Sequence, residues 1–177
     1  MTAQIGDKLT FEGEQYHMAS ELPLLNKSRT DCEIRFIAGC TACWRGYLAT
    51  WKIEEDMLYL TGVSGTAEVT DNLRYREEKL RLRPMVKSGE ISPMENGRLL
   101  REARYKLTET REIDLEFLFG TKDAVPATWI TGTIRIPRGK LLEYIHAGYE
   151  SIFEEDMFLT FSAGRVTDKK IVKNQKK

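Results

Sequence analysis

The sequence contains no long apolar run, and none of its stretches approaches the roughly 18–20 consecutive apolar residues that a membrane-spanning helix needs. Residues 1–8 are polar and lack the apolar segment of a secretory signal peptide. We therefore expect a cytoplasmic protein with no membrane partner.

An excess of charge of one sign is also absent. Lys plus Arg and Asp plus Glu both number 27 in the 177 residues, so the formal net charge is zero. A balanced chain has no overall attraction to nucleic acids, although it can still carry local charged patches. We therefore do not expect a nucleic-acid partner.

Cysteine is scarce, and the odd number of three is typical of a reducing compartment rather than of a disulfide framework. Cys40 and Cys43 form a Cys-x-x-Cys pair downstream of Cys32, but structural zinc commonly takes four ligands from two such pairs. A metal site would need the fold to bring in a distant histidine, His17 or His146. A redox pair would lie at a helix start, where the dipole lowers the thiol pKa, whereas this pair precedes a predicted strand. The sequence therefore predicts semi-buried thiols with no metal and no cofactor.

Phosphate-binding and nucleophile motifs are missing as well. The chain has neither Gly-x-x-x-x-Gly-Lys-Ser/Thr nor Gly-x-Gly-x-x-Gly, and it has no Gly-x-Ser-x-Gly elbow. His146 lies near Glu143, Tyr144, Tyr149 and Glu150 in sequence, and all of these side chains can do acid–base chemistry. A hydrolase would also need a nucleophile or a metal beside them, so we interpret His146 as a structural histidine at a sheet edge. We assign no catalytic residue and favour a protein that is not an enzyme.

The sequence does contain the pattern of a folded, β-rich domain. Hydrophobic residues make up 41% and charged residues 31%, which excludes a disordered chain, and the length suits a single domain over residues 1–177. Residues 44–53 are rich in aromatic and β-branched side chains, and residues 57–61 repeat this character after the polar turn at residues 54–56. This spacing predicts an antiparallel strand pair.

Shorter patterns predict the other elements of the sheet. Alternation predicts a hairpin at 8–18 that turns at Glu12-Gly13, and strands at 32–37, 127–136, 157–161 and 165–172. Residues 115–119 predict a short helix that ends at Gly120, and residues 140–147 fit a returning strand or a short helix. Polar runs predict turns at 137–139, 154–156 and 163–164, a loop at 20–29, and a basic, frayed tail at 169–177.

Residues 62–110 are charged and interrupted by glycine and proline, and we interpret them as an elaboration on the core sheet. Alternation at residues 79–83 predicts a strand that would place Arg81 and Arg83 on its solvent face. Arginines there can contact phosphates, although the acidic residues nearby favour a solvated face. Residues 99–107 fit a short helix or an irregular strand. Together the elements predict an α+β fold dominated by an antiparallel sheet, either strongly bent or a partly open barrel, with one or two short helices.

Two blocks of sequence stand out. The first is Trp-Arg-Gly-Tyr-Leu-Ala-Thr-Trp-Lys-Ile at residues 44–53, followed by Leu-Tyr-Leu at 58–60. The second is Thr-Gly-Thr-Ile-Arg-Ile-Pro-Arg-Gly-Lys-Leu-Leu-Glu-Tyr-Ile-His at 131–146, continued at 148–151. Paired in this order, the blocks resemble a group of small uncharacterised bacterial proteins. The resemblance implies a shared scaffold but no particular activity, and residues 62–110 form a longer stretch here than in that group.

The edge at Trp44-Arg45 is the first candidate binding surface, because Trp, Tyr and Arg dominate binding hot spots. With a charged elaboration on a β core and no cofactor motif, we expect a non-catalytic protein-binding module, such as an immunity-type inhibitor of a bacterial toxin. The alternative is a small enzyme or ligand-binding protein with a pocket near Arg45, Arg135 and His146. The candidate binding residues are Trp44, Arg45, Trp51, Arg81, Arg83, Arg135, His146 and Glu150.

Overall fold

The computed structural model describes residues 2–24 and 31–175. In chain order its elements are β1 (Lys8–Phe11), β2 (Glu14–His17), β3 (Cys32–Phe36), β4 (Tyr47–Glu54), β5 (Met57–Asp71), α1 (Asn72–Lys87), α2 (Pro93–Lys106), β6 (Thr108–Ile113), α3 (Leu115–Phe119), β7 (Val125–Pro126), β8 (Gly132–Glu143), β9 (Ile152–Ser162) and β10 (Arg165–Lys173). The predicted α+β class with a dominant sheet is confirmed. The described residues contain three helices rather than one or two, and α1 and α2 are longer than expected.

The central strand of the sheet is β5. Its first half pairs with β4 in the predicted antiparallel hairpin, which turns at Glu55 and Asp56. Its second half continues well past the predicted end and pairs with β3 on one edge and with β6 on the other. Gly65 allows β4 to approach closely, because a Cβ there would lie 2.6 Å from the carbonyl oxygen of Gly46.

The sheet is open and mixed. Hydrogen-bonded neighbours follow the order β2-β1-β4-β5-β10-β9-β8, and β3, β6 and β7 also pair with β5. The prediction of an antiparallel sheet has one exception, because β1 runs parallel to β4. Just after β2 the chain reaches β8, where the Ala19 N–H donates to the Arg135 carbonyl oxygen and the Arg135 N–H donates to Ser20 Oγ, both at 2.8 Å. These bonds draw the two ends of the strand order together.

Strands from both ends of this order contribute to one hydrophobic core. Leu9 of β1, Trp51 of β4 and Leu60 of β5 are fully buried in the same cluster as Ile136 of β8 and Phe161 of β9. Burying each such side chain stabilises the fold by roughly 1.5–3 kcal/mol. The core therefore holds strands from both ends of the order in one cluster.

The predicted helix at residues 115–119 is confirmed as α3. Asp114 caps its start, where the carboxylate Oδ1 accepts a hydrogen bond from the Phe117 N–H at 2.8 Å. Gly120 ends it in the left-handed conformation, with φ of 73°. Leu115 and Leu118 are buried in the core, so this short helix closes one face of the sheet.

Residues 72–106 form two helices, α1 and α2, joined by residues 88–92, and we call this unit the helical hairpin. The predicted strand at residues 79–83 is therefore wrong, and Arg81 and Arg83 lie on α1. The segment is rich in Leu, Arg, Lys and Glu, which are good helix formers, and five alternating residues are too few to separate the two periods.

The ends of the hairpin helices follow ordinary capping chemistry. Asp71 starts α1 by accepting a hydrogen bond from the Arg74 N–H at 3.0 Å. Ser92 starts α2 by accepting from the Glu95 N–H at 3.1 Å, with Pro93 in the first turn. None of the described helices combines the length and the apolar character needed to cross a membrane.

Several predictions in the second half of the chain are wrong. Residues 137–139 do not turn, because Gly139, with φ of 76°, accommodates a bulge within β8, where the register against β9 shifts. Residues 154–156 lie inside β9, and β8 begins only at Gly132 after a turn at 128–129. Residues 140–143 continue β8 and 144–147 form a loop, so this segment is neither a returning strand nor a helix.

The predicted hairpins are confirmed, and the predicted frayed tail is wrong. The hairpin of β1 and β2 and the turn at Ala163 and Gly164 before β10 are confirmed. The basic residues 169–173 belong to β10 and pair with β9, so they are not a frayed tail. In the predicted loop at 20–29, residues 20–24 have no helix or strand, and residues 25–29 lie outside the described part of the chain.

Candidate functional site

The first cluster of predicted site residues surrounds a buried carboxylate that the sequence did not reveal. Asp7 is fully buried, and its Oδ1 accepts hydrogen bonds from the Ala49 N–H and the guanidinium of Arg45, both at 2.9 Å. Its Oδ2 accepts from the indole N–H of Trp51 at 3.2 Å. The structure thus brings Arg45 and Trp51 together, but through a shared structural anion and not in a pocket.

The guanidinium of Arg45 is itself enclosed. It donates to the carbonyl oxygen of Ile5 at 3.1 Å, lies 5.0 Å from the centre of the Tyr47 ring, and stands 4.0 Å from a Glu21 carboxylate oxygen. Burial lowers the pKa of Arg45, but the hydrogen bond and charge of Asp7 outweigh it, so the pKa is raised from its ordinary value. Arg45 therefore stays charged and serves as a tie between the N-terminal segment and the start of β4.

The N-terminal segment is held between two loops. The Gln4 N–H donates to the Gly148 carbonyl oxygen, and the Ile5 N–H donates to the Ala42 carbonyl oxygen, each at 2.8 Å. The Gln4 side chain accepts from the Trp44 N–H at 3.0 Å and donates to the Thr41 carbonyl oxygen at 2.9 Å. Residues 2–7 therefore fasten the loop before β4 to the loop between β8 and β9.

Arg135 forms a second tie. Its Nε donates to Asp156 at 2.8 Å, while its two terminal nitrogens donate to the carbonyl oxygens of Tyr149 at 2.7 Å and Ser151 at 2.9 Å. The second oxygen of Asp156 accepts from Asn174 at 2.8 Å. Three of the guanidinium donors therefore hold the loop after β8 against β9.

Tyr149 connects the two arginine clusters. Its carbonyl oxygen is bound by Arg135, and its hydroxyl donates to the Ile5 carbonyl oxygen at 3.5 Å, the same oxygen that Arg45 binds. Burial raises the pKa of Tyr149 to about 12, although the positive charge of Arg45 opposes the shift. The phenol is therefore neutral and acts as packing and as a hydrogen-bond donor.

The other predicted pocket residues lie outside these clusters. His146 is exposed in the loop after β8, and its Nδ1 is 3.1 Å from the hydroxyl of Tyr144. Glu150 is exposed, and Trp44 has 52% of its surface exposed. Trp44, Arg45 and Trp51 thus separate into an exposed ring, a buried cation and a core residue, with no common concave site.

Cys40 and Cys43 lie in the loop before β4, and Cys32 begins β3. Cys32 and Cys43 are half-buried as expected, whereas Cys40 is exposed, and the Cys43 thiol donates to the Tyr47 carbonyl oxygen at 3.3 Å. Within residues 2–24 and 31–175, no group of three His, Cys, Asp or Glu side chains is placed to hold a metal ion.

The surface of the described residues has several cavities. A cleft of about 500 Å³ lies where the helical hairpin meets the sheet, and its wall includes Val69, Asp71, Arg74, Lys106 and Glu109. Smaller hollows of about 300, 320 and 160 Å³ lie between α1 and α2, beside β1 and β4, and near the turn before β8. Arg45, Trp51, Arg135, His146 and Glu150 line none of these four.

Among the described residues, the helical hairpin exposes several large apolar side chains. Leu82 is the one buried side chain within α1, and none is buried within α2. Large apolar side chains point to solvent instead: Leu73 is 55% exposed, Leu80 60%, and Met94 and Tyr105 84% each. Helices in a folded domain usually bury their apolar face against other elements, and these two helices leave large apolar side chains exposed instead.

The helical hairpin also differs from the rest of the chain in its net charge. Residues 72–106 contain ten Lys and Arg against five Glu, a net charge of +5, while the rest of the chain carries 17 basic and 22 acidic residues, a net charge of −5. The zero net charge of the whole chain therefore hides a basic hairpin on an acidic body. Sequence patterning could have shown this, because a sum over segments rather than over the whole chain reveals it.

Comparison of the chain with protein-family models, with curated proteins and with solved structures found no match. The basis for a function is therefore the geometry above, in which the buried arginines hold the scaffold and the helical hairpin carries the uncovered, charged surface.

Proposed function

We propose that the protein is a non-catalytic protein-binding module and that the helical hairpin is its binding surface. The observation that carries the proposal is the exposure of Leu73, Leu80, Met94 and Tyr105 on a unit that buries one side chain within its two helices. Exposed apolar residues grouped on one element and surrounded by charges are typical of protein interaction sites.

The charge of the hairpin supports a partner with an acidic surface. A net charge of +5 on residues 72–106 would attract such a partner and orient it during approach. The attraction is screened by salt, because these charges are exposed. Binding is therefore expected to weaken as ionic strength rises.

The rest of the chain supports a scaffold role. The charged groups of Arg45 and Arg135 are bound to Asp7 and Asp156, and each fixes a loop or terminal segment to the sheet. No specific observation favours the ligand-binding alternative, because these guanidinium groups do not face a common cavity with His146. A rigid sheet that presents one charged hairpin is suited to recognition without chemistry.

The specific form that we propose is an immunity-type inhibitor, which would occupy a toxin tightly in a one-to-one complex. The test is co-expression of the full chain with each product of the neighbouring genes, followed by light scattering on the purified complex. The proposal expects one product to form a stoichiometric, salt-sensitive complex, and expects co-expression to relieve that product's toxicity. Failure of every neighbouring product to form such a complex would overturn it.

A matched pair of variants connects the complex to the hairpin. Met94→Ser with Tyr105→Ser removes two exposed apolar side chains from the hairpin, and Leu141→Ser with Ile171→Ser removes two from the sheet, where they are 49% and 46% exposed. The hairpin pair is expected to weaken the complex, and the sheet pair is expected to leave it unchanged. The reverse pattern would assign binding to the sheet.

A further inference from the structure

One face of α1 carries a repeating pattern that the other described residues leave exposed. Leu73, Arg76, Leu80, Arg83 and Lys87 follow one another at spacings of three, four, three and four residues. At 100° per residue these five positions fall within an arc of about 80°. All five are exposed, and we call them the outer stripe. Leu82, which packs inward, lies on the opposite side of the helix.

The cations of the outer stripe differ from most of the other arginines of the helical hairpin. Arg76, Arg83 and Lys87 form no ion pair with any residue in 2–24 or 31–175, and the stripe itself contains no acidic residue. Four arginines elsewhere on the hairpin are paired: Arg74 with Asp71, Arg81 with Glu78, Arg98 with Glu95 and Glu102, and Arg104 with Glu33. Lys79, Arg101 and Lys106 form no ion pair among the described residues either, but the stripe is where three such cations line up on the face that also exposes two leucines.

The spacing of the stripe matches the seam of a helix-to-helix contact. Positions that alternate between three and four residues apart keep one line of side chains facing a partner helix. The pattern here is apolar, basic, apolar, basic, basic, with the leucines one heptad apart. A complementary surface would place apolar side chains against Leu73 and Leu80, and carboxylates against Arg76, Arg83 and Lys87.

We propose that the outer stripe docks an acidic amphipathic helix of a partner protein. This inference rests on the proposed protein-binding function and names the surface and the chemistry of the partner. Two leucines cover too narrow a face for an anionic membrane surface, where amphipathic helices bury a broad apolar side. Nucleic-acid binding would require this stripe to contact phosphates, and the two leucines cannot make such contacts.

The test uses the full chain and a synthetic probe, a labelled helical peptide with leucine and glutamate at alternating seam positions. Binding is measured by fluorescence anisotropy at low salt. The matched variants remove three positive charges each from the hairpin: Arg76→Gln, Arg83→Gln and Lys87→Gln on the stripe, against Arg74→Gln, Arg81→Gln and Arg98→Gln off it. Circular dichroism of both triple variants confirms that the helices remain.

The stripe triple variant is expected to bind the peptide about tenfold more weakly than the native chain, because three exposed ion pairs are lost. The off-stripe triple variant is expected to retain native affinity, and Leu73→Ser with Leu80→Ser is expected to weaken binding at any salt concentration. Equal losses for both triples would overturn the stripe assignment. So would tighter binding of vesicles of mixed neutral and anionic lipid, or of single-stranded DNA, than of the peptide.

The outcome is separable from that of the proposed function. If the stripe triple variant still forms the full complex with a neighbouring gene product, the protein-binding function stands and the stripe is not its contact surface. If the native chain forms no such complex, the proposed function fails whatever the peptide does.

Discussion

Leu73 and Leu80 lie two helical turns apart on the same side of α1, and both point to solvent with more than half of their surface exposed. Leucines one heptad apart usually mark the buried face of a helix. Here the buried position is Leu82, on the opposite side. The face with Leu82 packs against other described residues, whereas Leu73 and Leu80 form a second apolar line that those residues leave exposed.

The first prediction separates these two faces by stability. Leu80→Ser is expected to change the free energy of unfolding by less than about 0.5 kcal/mol, because the side chain is already hydrated. Leu82→Ala is expected to lower it by about 2–5 kcal/mol, because it removes the buried contact of the hairpin. Urea unfolding of each variant measures the difference. Equal losses would show that the outward leucine also supports the fold.

The second prediction concerns the buried pair of Asp7 and Arg45. Asp7→Ala is expected to destabilise the protein by about 3–5 kcal/mol, because it leaves the Arg45 charge buried without its partner. Glu12→Gln is the control, since the Glu12 pair with Lys169 is exposed and is expected to contribute less than about 1 kcal/mol. Thermal or urea unfolding compares them. Similar losses in the two variants would mean that the buried pair has no special structural role.

The third prediction concerns the loop that Arg135 holds. Arg135→Gln is expected to speed amide hydrogen exchange roughly tenfold at Ile145 and Glu150, because the loop loses its two guanidinium bonds. Arg138→Gln is the control, since Arg138 lies on the same strand and contacts the Tyr16 ring at 5.9 Å instead. Exchange in the core of β5 should not change. Unchanged exchange in the loop would show that other contacts hold it.

The fourth prediction follows from the pKa of Tyr149, raised to about 12 from the ordinary value of 10.0. Below pH 10 the phenol is protonated in both the folded and the unfolded chain. Between pH 10 and pH 12 the unfolded chain loses this proton first, so the free energy of unfolding falls as pH rises.

Tyr149→Phe tests this dependence because it removes the titrating group and keeps the ring. The fall in stability between pH 10 and pH 12 is expected to become shallower, although Tyr47, whose pKa burial also raises, still contributes. Urea unfolding across this range measures the slope. An identical slope in the variant would exclude Tyr149 as a source of the pH dependence.

The sequence predicts those parts of the fold that depend on local periodicity. Strands β4 and β5 are visible because aromatic and β-branched side chains alternate over many residues around a polar turn. The helix α3 is visible because Gly120 marks its end. The helical hairpin is not visible at residues 79–83, because five residues that alternate between leucine and a basic residue satisfy a strand and a helix equally.

The candidate site was harder to predict because its ties join distant residues. Asp7 meets Arg45 and Trp51 only after β1 adds beside β4 as a parallel strand, and no local pattern marks that pairing. Arg135 meets Asp156 across the β8–β9 pair, whose predicted boundaries were wrong. The sequence therefore identified Arg45 and Arg135 as notable residues but could not show that each is bound to a carboxylate.

Hydroxyl-radical footprinting of the full chain, alone and in complex with its neighbouring-gene partner, locates the binding surface. Leu73 and Leu80 report on the outer stripe, and Trp44 reports on the half-exposed ring near the buried arginine cluster. We expect oxidation of the two leucines to fall on complex formation while oxidation of Trp44 stays unchanged. Protection of Trp44 with unprotected leucines would instead place the binding surface at the entrance to β4.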